Sequence, residues 1–405
     1  MKFVSAEWRI ISADEFSAQL RLRILYFITV LSVLIYAFFV SSFDVNLYFY
    51  ASPFIISKLK ISTIYIGLSV STFALGVIVS ALIGGYAFNR ISIKFLFLSA
   101  ITLATLSSIM TGFASGTFEL LLFRYIVGMG TGMLQGTIVG FIGMILPERK
   151  GYLLSLTGIS FSIGLLAGPY CESVFSPLYV PSFLISGILG TICFFLLFTF
   201  IPNIKRGQPI YKTRGNMKIF TRNLNFVLLA VFFFGIGYFG FIGYFSRYLI
   251  DYLRLGNQLS ATVVSMLGLG GITLTLPFGH LSDRFGRKIL LIVLYSILAF
   301  TSFTIFFLRI PIIILIAMSF LFGAAYDSLI IVTAAAAQDY TENRGEGISS
   351  GLMYSFFYGG GIIGGYLFGV MLGKLGFKLS GVVAVTLFML IGLIVSTLIN
   401  EHKAA

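Results

Sequence analysis

The sequence predicts an all-α polytopic membrane protein, with twelve transmembrane helices arranged as two pseudo-symmetric six-helix bundles. Three observations carry this prediction. The chain is 58% hydrophobic and 10% charged, far below the roughly 25% charged residues of soluble domains. Its mean hydropathy of +1.02 is more than a soluble core absorbs, so lipid must solvate most of it. Finally, the charged turn Gly279-His280-Leu281-Ser282-Asp283-Arg284-Phe285-Gly286-Arg287-Lys288 has a worn copy in Gly85-Tyr86-Ala87-Phe88-Asn89-Arg90-Ile91-Ser92-Ile93-Lys94. Asp283 and Asn89 are 194 residues apart, close to half of the 405, which points to a duplicated chain.

A membrane-crossing helix needs about 20 mainly apolar residues. The first such run, 24–51, follows a segment (1–23) carrying Glu7, Arg9, Asp14, Glu15, Arg21 and Arg23. It is too long for the apolar region of a signal peptide and lacks a small-residue cleavage site, so it is expected to remain as a span. The runs 63–88 and 94–113 flank the first charged turn. Runs 118–146, 151–174 and 180–201 complete the first half. Residues 202–223 form a polar linker with six basic residues and no acid, which marks the domain boundary. The second half is read as 224–250, 258–281, 289–308, 311–337, 347–373 and 379–399, followed by a short tail, 400–405. Duplication has further support. Phe43–Phe49 in the first run aligns with Phe239–Phe245 in the seventh, and Gly151/Gly168 is echoed 196 residues later by Gly347/Gly364.

An even number of spans puts both termini on one side. Of the 27 Lys and Arg residues, nineteen fall on the side of the termini and seven on the other, with Arg124 inside a span. By the positive-inside rule the termini are cytoplasmic and the protein sits in the plasma membrane. The same rule accounts for the net charge of +13. No basic stripe interleaved with aromatic residues suggests a nucleic acid partner. Cys171 and Cys193 lie in apolar runs without metal-ligand spacing. No metal and no cofactor is expected. The glycines of 359–365 follow no strand and precede no Lys-Ser/Thr pair, so a phosphate loop is excluded. Gly361, Gly365, Gly369 and Gly373 instead recur every four residues as a close-packing groove.

The loop Gly279…Asp283-Arg284-Phe285-Gly286-Arg287-Lys288, and Arg124-Tyr125-Ile126-Val127-Gly128-Met129-Gly130-Thr131-Gly132 in the fourth run, resemble two motifs of the major facilitator superfamily. With twelve spans and a basic central loop, the resemblance covers nearly the whole chain. It implies a secondary transporter working by alternating access, with spans one, four, seven and ten lining a central path. Gly85, Asn89, Arg90, Gly279, Asp283, Arg284, Gly286, Arg287 and Lys288 would form the gating loops. Asp283 is expected to cap a neighbouring helix or to pair with Arg287. Glu148–Gly151 and Glu342–Gly345 resemble the partners of these latches. Asn89 stands where the family usually has Asp, which weakens the first latch. Gly164-xxx-Gly168-Pro169 is part of an antiporter motif, but Glu172-Ser173 replaces its final glycines.

Asp or Arg at the centre of a membrane helix costs about 2.5–3.5 kcal/mol on insertion scales. Asp44, Arg124 and Asp327 are such residues, and all fall on the path-lining spans. They are the expected proton-coupling group. Asp44 would take up protons, while Arg124 pairs alternately with Asp44 and with substrate. A static pair that only fixes packing is the alternative. Asp327 is either a second protonation site, a substrate hydrogen-bonding group or a neutral buried acid. Arg124, with Gln135, Asn46, Tyr48, Tyr238, Tyr244 and Tyr326, forms the candidate substrate-binding set. Arg124, Thr131 and Gln135 share one helical face.

No nucleotide-binding motif is present, so an ion gradient must supply the energy. The expectation is proton-coupled symport of a small polar metabolite, a sugar or an organic acid, by a monomer in the lipid bilayer. The alternative is a proton-coupled drug efflux antiporter. A sensor or scaffold on the same fold would be expected to carry an appended soluble domain, and 400–405 is short. No Ser-His pair or other catalytic motif suggests an enzyme.

Overall fold

The computed structural model describes residues 13–87, 91–145, 150–203, 220–341 and 346–400. Every regular element among them is helical. Six helices form the first half: α1 (Ala13–Leu59), α2 (Ile64–Ala87), α3 (Ile93–Gly112), α4 (Thr117–Ile145), α5 (Lys150–Phe175) and α6 (Val180–Phe200). The second half comprises α7 (Arg222–Arg247), α8 (Asn257–Phe285), α9 (Arg287–Phe307), α10 (Ile312–Asp339), α11 (Glu346–Gly381) and α12 (Leu387–Thr397). A π turn at Tyr248–Tyr252 extends α7, and another at Val382–Thr386 leads into α12. The predicted eleventh and twelfth spans run together as continuous helix except at Gly376, where φ of 69° folds the chain back. Only glycine takes that conformation at no cost.

Local chemistry explains several boundaries. Ser92 and Thr221 cap α3 and α7 by accepting from the amides of Phe95 and Leu224. Pro311 opens α10, and Gly286, at φ 96°, ends α8 and starts α9. Between these signals little interrupts the helices, because lipid offers the backbone no other hydrogen-bond partner. Buried Ser and Thr hydroxyls likewise turn back onto carbonyls of the preceding turn, as Thr111, Thr301, Ser328 and Ser396 do. Large apolar side chains such as Phe95, Phe195, Phe300 and Ile394 point away from the protein, where acyl chains replace water.

Packing repeats with the predicted symmetry. α1 contacts α5 and α6, α2 contacts α4, and α3 contacts α4 and α6. Their counterparts α7, α8 and α9 contact α11 and α12, α10, and α10 and α12. The bundles meet along two seams, α2 with α11 and α5 with α8, which the same symmetry relates. Glycine makes both seams tight. A β-carbon on Gly67 would collide with the carbonyl of Gly365, and one on Gly268 with the backbone of Ser162 and Leu166. Three of the four glycines act as the expected groove, Gly361 and Gly369 receiving Phe239 and Tyr244 of α7 and Gly365 meeting α2, whereas Gly373 faces open space.

The face bearing the α1–α2, α5–α6 and α7–α8 connections is the one charge bias assigns to the exterior, and is called the outer face here. The bundles are sealed at this end. Tyr50 donates to the Asn257 carbonyl at 2.5 Å, and Ser246 to the Phe49 carbonyl at 2.7 Å. Tyr244 accepts from the Gly67 amide at 2.9 Å and donates to the Thr63 carbonyl at 3.0 Å. Just above these contacts a cavity of about 330 Å³ is lined by Lys60, Arg247 and Asp251 among others.

Candidate functional site

Arg124 is fully buried on α4, and none of its three guanidinium nitrogens has a hydrogen-bond partner. Its guanidinium carbon lies 3.8 Å from the ring centroid of Tyr48 on α1 and 5.1 Å from that of Phe73 on α2. The Tyr48 hydroxyl donates to Ser69 at 2.5 Å, which holds the ring flat beneath the cation. Two aromatic faces attract a guanidinium but leave all its N–H groups free. A desolvated fork of donors is suited to a carboxylate, which accepts two of them side by side.

Asp44 does not supply that carboxylate in this conformation. It is buried on α1, but its Oδ1 accepts from Ser108 of α3 and from Ser186 of α6, the latter at 2.9 Å. Its Oδ2 is unpartnered, and among the described residues no ion pair joins it to Arg124. The expected pair is therefore open here. Asp44 points between α1, α3 and α6, while Arg124 points towards α1 and α2.

Asp327 of α10 lies in the other bundle and accepts from Ser162 of α5 at 2.5 Å, bridging the two halves. A β-carbon on Gly271 would collide with this carboxylate, so the glycine makes room for it. Arg124 and Asp327 stand at opposite ends of a belt of rings. From Phe73 it passes to Tyr358 (6.4 Å), Phe239 (5.6 Å), Tyr238 (5.2 Å) and Tyr326, stacked on Tyr238 at 4.1 Å and 6°, and then to Phe161 (6.5 Å). The belt crosses from one bundle to the other and back. Phe73, Tyr358, Phe239, Tyr238 and Tyr326 are all buried, so the rings pack chiefly against one another in this conformation.

The predicted substrate-binding residues divide. Arg124, Tyr48, Tyr238 and Tyr326 meet around this belt. Gln135 is half-buried further along α4. Asn46 donates its amide to the carbonyl and hydroxyl of Ser42 on its own helix, while its Oδ1 is buried without a partner. Tyr244 takes part in the outer seal, since its hydroxyl accepts from Gly67 of α2 and donates to Thr63 just ahead of that helix. For Tyr244, helix rotation turns the side chain into an interface.

At the opposite end, Asp283 pairs with Arg287 at 2.5 Å, one of the two expected outcomes. Arg287 also binds Asp339 at the end of α10 at 2.8 Å and Ser282 at 2.9 Å. Asp339 is a latch partner that the sequence reading missed. It lies just ahead of Glu342–Gly345, which falls outside the described residues, as do Asn89 and Arg90. Glu148 and Arg149 are likewise outside them. Arg284 lies 5.5 Å from the ring of Phe285, Lys288 follows in the first turn of α9, and Gly279 borders open space. Gly85 is placed in α2.

Comparison with known proteins agrees with this architecture. The chain is 26% identical over 374 residues to the hexuronate transporter of Bacillus subtilis (strain 168), covering 83% of this chain and 86% of that one. It is 25% identical to the multidrug efflux pump SdrM of Staphylococcus aureus (strain N315), over 92% of this chain and 97% of that one. Among solved structures, the D-xylose-proton symporter superposes with a TM-score of 0.74 at 16% identity, covering 93% of this chain and 98% of the symporter. A bacterial homologue of the human lysosomal transporter Spinster, inward-facing and unoccupied, gives 0.75 at 14% identity over 94% and 99%. Residues 34–349 and 227–405 match the Major Facilitator Superfamily, and the chain belongs to that family of membrane transporters.

Proposed function

We propose that this transporter takes up a small organic acid together with protons by alternating access, as a monomer in the plasma membrane with both termini cytoplasmic. The observation that carries this reading is Arg124, a fully buried cation whose three nitrogens have no hydrogen-bond partner. A buried charge without a partner costs several kcal/mol, and a substrate carboxylate removes that cost on binding. The ring belt then receives the body of the substrate. A hexuronate, the cargo named for one relative, is a sugar ring bearing one carboxylate, and has both features. Asp44, held by two serine hydroxyls and not by the arginine, is the proposed site of proton uptake. Asp327 is a second one, because its bond to Ser162 spans the bundles and must change as they rock.

The similarity to a multidrug efflux pump along 92% of the chain favours a second reading, proton-coupled export of apolar cations across the ring belt. Proteoliposome uptake under an imposed pH gradient separates the two. With hexuronates, other monocarboxylates, neutral sugars and cationic dyes as substrates, the proposal expects carboxylate accumulation driven by an acidic exterior. Movement of dyes alone, with proton exchange, overturns it in favour of export.

A further inference from the structure

Glu172 stands apart from the ring belt, near the outer end of α5. Gly168, one turn earlier, packs against the backbone of Phe43 and Leu47 in α1, so the same face carries Glu172 into the bundle. The side chain is fully buried, and neither carboxylate oxygen has a hydrogen-bond partner. Two neighbouring hydroxyls, those of Tyr179 and Ser182, have no hydrogen-bond partner of good geometry either, and Ser182 is the one that approaches the carboxylate most directly. The titratable and charged groups around it are few. Tyr50 and Lys58 come from α1, Tyr179 from the start of α6, and Cys171 from the same helix. Lys58 lies over the Tyr179 ring at 5.0 Å and makes no ion pair with Glu172. The opposing first turn of α8, residues 257–261, carries no charge.

We propose that Glu172 is a proton-binding latch of the outer gate: its carboxyl holds a proton while the outer ends of the bundles are closed and releases it to water when they part. An ionised carboxylate in this place would be fully buried with no cation paired to it, which low-dielectric surroundings penalise heavily. A neutral carboxyl removes the charge and gains an O–H to donate to Tyr179 or Ser182. The link to the gate is Tyr50. It lies beside Glu172 and donates across to Asn257 of the other bundle, so breaking that bond opens a route for water to the carboxyl. The side of the gate that buries the acid is the side that binds the proton, so acid favours the closed gate and alkali the open one. Such a latch needs only that the outer ends open and close, whatever the substrate.

Spin labels at Leu178→Cys and Leu259→Cys, exposed positions at the outer ends of the two bundles, report the gate. The background replaces Cys171 and Cys193 with alanine, and the protein is held in nanodiscs with one pH on both faces. Between about pH 5.5 and 8.5 the long-distance population is expected to rise about threefold or more. Glu172→Gln is expected to hold the acid distribution at every pH. Glu172→Asp, which keeps a titratable carboxyl, is expected to respond with a displaced midpoint. A Glu172→Gln variant that follows pH as the parent does, a parent indifferent to pH, a flat Glu172→Asp, or a response to sodium at fixed pH would each overturn the proposal.

Discussion

Two buried charges, Arg124 in the first bundle and Asp327 in the second, are treated in opposite ways. In the first, Arg124 has two aromatic faces and no hydrogen-bond acceptor. In the second, Asp327 is satisfied by a hydroxyl from across the interface. A charge already bonded to the other bundle is suited to report how the bundles sit. A charge left open within one bundle is suited to receive something from outside the protein. On the proposed function the contrast gives Arg124 of the first half the role of substrate capture and makes Asp327 of the second a sensor of closure beside Glu172.

Replacing Arg124 tests that contrast most severely. Arg124→Gln is expected to lower carboxylate uptake by about 10²-fold, the usual loss when one partner of a buried charge pair is removed. The same variant should melt higher than the parent in the absence of substrate, because an unpaired buried charge has gone. A fall in both transport and melting temperature would mean that the guanidinium is structural. Asp44→Asn is expected to abolish accumulation against a gradient while substrate exchange at equal concentrations continues; counterflow assays read the difference. Gly67→Ala places a methyl group against the Gly365 carbonyl and should hold the outer seam apart. Transport is expected to fall about tenfold, with faster labelling of cysteines introduced along α2. Asp339→Asn removes one of the two carboxylates on Arg287, a half-exposed contact. About a two- to threefold change in transport rate is expected, the range of a surface ion pair. A larger effect would make the α8–α9 turn more than a weak latch.

The contrast itself was only partly legible in the sequence. Helix number, the repeat and the tight seam follow from hydrophobic length and from the spacing of glycines such as Gly361, Gly365 and Gly369. These signals lie along the helix axis. Rotation about that axis is encoded less well, because helices apolar on every side have no single face to bury. Asp44 does lie within electrostatic reach of Arg124, as its depth suggested, but it bonds Ser108 and Ser186, two hydroxyls nothing in the sequence marks. Tyr244 was displaced from the substrate set into the seal for the same reason. Asp339 was overlooked because an acid at a helix end reads as solvated surface. Arg124, Tyr48, Tyr238 and Tyr326 were legible as candidates because charge and aromatic residues in spans one, four, seven and ten stand out against any rotation.

Binding of a carboxylate substrate to detergent-solubilised parent and Arg124→Gln protein, measured by calorimetry, tests the central claim most directly. A hexuronate and the corresponding neutral hexose serve as the matched pair. The parent is expected to bind the acid at least about tenfold more tightly than the sugar, and the variant to lose that preference. Equal preference for the acid in both proteins would show that the buried guanidinium does not hold the carboxylate.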